Sequence, residues 1–122
     1  MFRLLIKFWW LVPLIVAPAR AHADEWPVSM GLESGNTTYC YSFQGAVSED
    51  DGKFSLRSVG FGKLWSLPTA GDGSVIGETK AGLLTNTANS GIHKVSVPAG
   101  KGPRNFEVEN LTWGCRWTAI AD

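Results

Sequence analysis

Two cysteines, a few titratable groups and a run of aromatic residues are the side chains of this sequence suited to chemistry or recognition. Cys40 lies in "TYCYSF" (Thr38–Phe43) and Cys115 in "WGCRW". A lone pair of cysteines in a small exported chain reads as one disulfide. In the chain-entropy account, closing a loop of about 75 residues stabilises the fold by roughly 4 kcal/mol. His93 could act as a general base only with a partner to orient it. Its neighbourhood, "GIHKVSV", supplies only Lys94, on the other side of a strand, so His93 reads as a structural or surface residue. Glu107 and Glu109 share one face of a strand. Paired carboxylates can hydrolyse glycosides when suitably spaced, but the favoured reading is a solvated face whose reverse buries Phe106 and Val108.

The acidic run Glu49–Asp51 lacks the alternating oxygen ligands of a calcium loop and reads as a hairpin tip made soluble by charge. Two cysteines and His93 do not have the spacing of a zinc motif. No metal and no cofactor is expected. "AGKGPR" is Gly-rich and basic, but its order is wrong for a phosphate loop. It is expected to be a flexible loop, with Lys101 and Arg104 as the residues that would enter an acidic cleft on a partner. Asn36 and Asn110 head N-x-T sequons, which matter only where the source glycosylates.

The aromatics pose a sharper question. In an extended Thr38–Phe43, Tyr39, Tyr41 and Phe43 face one way and Thr38, Cys40 and Ser42 the other. Cys115 shares its parity with Leu111, Trp113 and Trp117, an apolar and therefore inward set. A disulfide needs its two Cβ atoms about 4 Å apart, so Cys40 must face inward as well. Tyr39, Tyr41 and Phe43 then point away from that core. They could pack under Val75–Leu84 as a second small core, form an oligomer interface, or serve as a binding face.

The elements that would position these residues are mostly strands. The first 23 residues combine Arg3 and Lys7, an apolar run from Phe8 to Val16 and an Ala-His-Ala end, the pattern of a cleaved signal peptide. The run is shorter than the ~20 residues a spanning helix needs. Residues 24–122 are then one exported domain. Arg3, Lys7 and Arg20 leave with the leader while all 11 acidic residues remain. The resulting acidic balance argues against nucleic acid and against stable membrane association as the protein's business.

Turn signals at Asp51-Gly52, Asp72-Gly73, Gly91 and "PAGKGP" separate strand-like runs at Val28–Leu32, Thr38–Val47, Lys53–Leu67, Ile92–Val97 and Arg104–Ile120. The last run changes phase near Glu109-Asn110, which predicts a bulge or a tight turn between two strands. Val75–Leu84 has a partly helical spacing and leaves room for one short helix. The fold class is mainly β: a small antiparallel barrel or sandwich with one disulfide. The leading functional expectation is a non-catalytic exported binding protein, an inhibitor or immunity-type protein for a periplasmic or secreted enzyme. The alternatives are a carbohydrate- or receptor-binding subunit of a larger secreted assembly, and a small hydrolase using Glu107 and Glu109.

Overall fold

The computed structural model describes residues 25–82 and 90–122. The leader segment 1–23 lies outside the described residues, as do Leu83 and Leu84. Eight antiparallel strands follow in chain order: β1 (Glu25–Ser34), β2 (Phe43–Asp50), β3 (Lys53–Ser58), β4 (Gly62–Pro68), β5 (Val75–Gly82), β6 (Ser90–Val97), β7 (Phe106–Asn110) and β8 (Cys115–Ala121). They form one sheet in the order β4-β3-β2-β1-β8-β7-β6-β5. The first and last strands therefore pair, with Val28 opposite Ala121 and Leu32 opposite Trp117. The two edges, β4 and β5, come side by side without a ladder: a Cβ on Gly77 would lie 3.5 Å from a methyl of Leu67. The result is a nearly closed up-and-down barrel, and among the described residues there is no helix.

Alternation explains why these segments fold inward on one another. Trp26, Val28 and Met30 of β1, Phe54 and Leu56 of β3, Val95 and Val97 of β6, Phe106 and Val108 of β7, and Trp117 and Ala119 of β8 are all buried. Their outward neighbours, such as Lys53, Glu78, Lys80, Lys94, Glu107 and Arg116, carry charge and are exposed. An eight-stranded barrel has an interior that side chains can just fill. Here aromatics do most of it. Phe54 meets Phe106 edge-on at 5.2 Å and stacks on Trp65 at 6.2 Å, and Trp26 closes on Phe54 at 6.1 Å.

The strand expectations hold with four corrections. Lys53–Leu67 is two strands, because Gly60 (φ 97°) and Gly62 (φ 118°) turn the chain at Val59–Phe61. Val75–Gly82 is strand rather than helix. It pairs with β6 along its whole length, from Val75 opposite Val97 to Gly82 opposite Ser90, and so its inward and outward residues follow period two. The early strand starts at Phe43, not Thr38, since Asn36 bends the chain into a turn before it. The phase slip near Glu109-Asn110 is a tight turn, Leu111–Gly114, one of the two expected forms; the correction there is that Leu111 is exposed and Trp113 only half-buried against the core, while Cys115 and Trp117 keep the inward face.

Candidate binding surface

The strands run so that the loops gather at two ends of the barrel. One end carries the β2–β3 hairpin, the 69–74 and 98–105 loops and both described termini. The other carries the 35–42 loop, the Val59–Phe61 turn, the Leu111–Gly114 turn and the disulfide. The two ends are built differently.

At the disulfide end, the bond joins Cys40 to Cys115 with Cα atoms 5.7 Å apart and ties the 35–42 loop to the first residue of β8. Such a bond places this domain in an oxidising environment. The loop is wound around Asn36, whose side-chain Oδ1 accepts from Thr38 N at 2.8 Å. Its carbonyl accepts from Tyr39 N and Cys40 N. Gly35 has φ 138°, and a Cβ there would lie 2.8 Å from Cys40 Sγ, so only glycine lets the chain pass the disulfide. Trp117 Nε1 donates to Tyr41 O at 2.9 Å and holds the loop's far limb.

With the backbone fixed, the parity expectation has a mixed outcome. Cys40 is buried while Tyr39 and Tyr41 are exposed, although this stretch is loop rather than strand. Phe43 departs from it. As the first residue of β2 it pairs with Met30, turns inward and packs edge-on to Trp117 at 5.8 Å. The tyrosine rings sit on neighbours that orient them: Tyr39 against Trp113 at 4.9 Å, Tyr41 against Phe43 at 6.1 Å. Partial burial also pushes the Tyr41 hydroxyl above the ordinary phenol value, so the group stays protonated and able to donate.

Sequence reasoning missed the rest of this surface. Five of the large apolar side chains left exposed lie in these loops: Tyr39 (42%), Tyr41 (38%), Val59 (55%), Phe61 (56%) and Leu111 (45%). The Val59–Phe61 turn stands beside the start of β2, because Val59 N donates to Gln44 O. It went unseen because Lys53–Leu67 reads as a single strand, with no turn expected between Ser58 and Gly62.

Asn110 and His93 form the floor. Both are buried, with Asn110 Nδ2 3.3 Å from His93 Nε2 and 2.8 Å from Ser90 O. Asn110 Oδ1 accepts from Thr112 N and Trp113 N, each at 2.9 Å, and so shapes the Leu111–Gly114 turn. Its amide is occupied inside the fold, which removes it as a glycan acceptor, whereas Asn36 is exposed. His93 also lies 5.8 Å from the Trp117 ring, a core histidine.

The opposite end is organised by Glu49. Its carboxylate accepts from Trp26 Nε1 (2.8 Å), Gly102 N (2.9 Å) and Arg104 Nη1 (3.1 Å). Arg104 also donates to Pro98 O, Gly102 O and Gly73 O and sits 5.6 Å over the Phe54 ring. The Arg104 and Glu49 side chains are only 11% and 18% exposed. Arg104 is therefore a clamp within the molecule, not a group held out to a partner, and Glu49 is a hub rather than a solubilising tip. Lys101 is exposed as expected. These loops rim a cleft of about 640 Å³ that includes Trp26, Asp50, Asp51 and Lys53.

Glu107 and Glu109 sit on the outer wall of β7. Glu109 pairs across to Lys94 and Arg116, and Glu107 to Ser96 and Thr118. The shallow depression there, about 220 Å³, is lined by these same wall residues. Among the described residues no cluster of three His, Cys, Asp or Glu side chains could hold a metal ion. No family model, curated protein or solved structure matches this chain.

Proposed function

We propose that this is a non-catalytic exported binding protein that recognises another protein, in the manner of an inhibitor or immunity-type protein acting on a periplasmic or secreted enzyme. The observation that carries this reading is the exposed Tyr39 and Tyr41 pair, mounted on a loop that a disulfide and the Trp117 hydrogen bond hold still. Rigid aromatic groups lose little entropy on binding and dominate interface energetics. The remainder of the chain supports it. The barrel interior is filled with side chains, so recognition belongs to the outside. The wall is charged where a lipid-facing barrel would carry an apolar band, which fits work in water. Glu107 and Glu109 lie on a convex wall beside Lys94 and Arg116, which supports a surface role over hydrolysis.

The test is retention of exported proteins on the immobilised domain, followed by assay of any enzyme retained. A stoichiometric complex whose enzymatic activity falls on adding the domain supports the reading. Retention only of glycans or glycan-coated material would replace it with the carbohydrate-binding alternative. Turnover of a glycoside that is lost in Glu107→Gln would replace it with the hydrolase.

A further inference from the structure

The uneven distribution of charge over the barrel narrows the surface and the kind of partner. The end built on Glu49 has Asp51, Asp72, Lys101 and Arg104 in its loops and Asp122 at the terminus. The three described loops at the disulfide end, 35–42, 59–61 and 111–114, hold no charged residue at all. Their composition is Asn, Thr, Ser and Gly around Tyr39, Tyr41, Val59, Phe61, Leu111 and Trp113. The strand order β4-β3-β2-β1-β8-β7 makes them neighbours, so they form a continuous arc around the barrel mouth.

We infer that this arc is a single three-loop docking surface, and that its occupant is an exported protein presenting a neutral, apolar-rich patch. The inference rests on the protein-binding reading above and names the surface and partner chemistry within it. Depletion of charge with enrichment of aromatics is the mark of an interface core, and Tyr, Trp, Ser, Asn and Gly are the residues that antibody loops use for protein recognition. A charged partner patch set on the loops themselves would be desolvated against no charge of opposite sign, since the nearest charges, Glu33, Lys63 and Arg116, are exposed on the flanking strand ends. Aliphatic Val59 and Leu111 have no role in stacking on a sugar, and Tyr39 already shares a ring face with Trp113. Both features favour a protein occupant over a glycan. Such a complex should therefore depend only weakly on salt, because the charges nearest the arc, Glu33, Lys63 and Arg116, lie at its rim.

Exposure alone would point elsewhere. Ile76, 81% exposed on the wall of β5, is the most exposed large apolar side chain described and lies outside the arc. It supplies the control. A photo-crosslinking benzophenylalanine is placed singly at positions 39, 61 and 76 of the full chain, and each variant is irradiated with exported proteins of the source cells in 0.05 M and 0.5 M NaCl. Crosslinks from positions 39 and 61 to one and the same protein, equal within threefold at both salt concentrations and absent from position 76, are expected. Crosslinks only from position 76, or a tenfold fall at high salt, would overturn the three-loop neutral surface while leaving a protein-binding function standing. Crosslinks to a second copy of the chain would overturn it in favour of self-association. No crosslink at any position, in variants that retain the wild-type melting temperature, would take both readings down together.

Discussion

Glu49 was expected to be one of three solvated acids at a hairpin tip and is instead the acceptor for three donors, Trp26 of β1 and Gly102 and Arg104 of the 98–105 loop. Removing it leaves the Arg104 guanidinium, the Trp26 indole N–H and the Gly102 amide without their acceptor. Glu49→Ala should therefore cost about 3 kcal/mol in urea denaturation, the range for breaking a partly buried ion pair from one side. Lys101→Ala, three residues from Arg104 but exposed, should change stability by less than about 0.5 kcal/mol. Equal effects would mean that Glu49 does not organise this end. Asp72 carries the clearest pH dependence. Hydrogen bonds from the Ser74 hydroxyl (2.6 Å) and backbone N–H (2.9 Å) hold its carboxyl below the ordinary value of 3.8. A depressed folded value means that the stabilisation is complete above about pH 4 and is lost as pH falls through the folded value. Asp72→Asn should flatten the decline of melting temperature between pH 4 and pH 2. A decline as steep as that of the wild type would show that this turn does not contribute to it.

Two turns show how local chemistry meets long-range packing. Asp51-Gly52 is legible from the dipeptide alone: both residues have positive φ, 52° and 71°, as a two-residue hairpin demands. A Cβ on Gly52 would touch nothing within 4 Å. Asp72-Gly73 looks the same in sequence, yet a Cβ on Gly73 would collide with the backbone of Gly100, a residue from a different loop. Gly52→Ala should thus cost about 1 kcal/mol, and Gly73→Ala more than about 3 kcal/mol, in the same denaturation assay. Similar values would mean that the two loops do not meet. The contrast marks what could be read in advance. Period-two alternation revealed β6 and the inward side of β8, and the disulfide followed from the cysteine count together with the leader-like pattern of the first residues. The division of Lys53–Leu67 was overlooked because apolar residues run on through it, although their parity changes from Phe54 and Leu56 to Val59 and Phe61, a phase slip that marks the turn. The strand character of β5 was hidden because its inward positions include Gly77, Thr79 and Ala81, small residues with a weak period-two signal. The Glu49–Arg104 clamp joins residues 55 apart and leaves no local trace.

The barrel as a unit has one end with charged loops, locked by Glu49 and Arg104, and another, locked by Cys40–Cys115, whose three described loops carry no charge. Removing the disulfide with Cys40→Ser/Cys115→Ser should lower stability by about 2–5 kcal/mol in denaturant titration, and a loss below about 1 kcal/mol would show that the 35–42 loop is held without it. The two apolar surfaces also separate in purpose: the aromatics inside the barrel hold the fold, whereas Tyr39, Tyr41 and Phe61 of the 35–42 and 59–61 loops and Leu111 of the 111–114 turn stay exposed, with Trp113 half-buried beside Tyr39. Amide hydrogen exchange of the domain alone and in complex with a protein captured on the immobilised domain, as in the retention experiment above, tests that division most directly. Added protection should be confined to residues 36–42, 59–61 and 111–114, with the β6 and β7 walls and the 98–105 loop unchanged. Protection that appears instead at 98–105 and the β2–β3 hairpin, with these three loops unaffected, would contradict it.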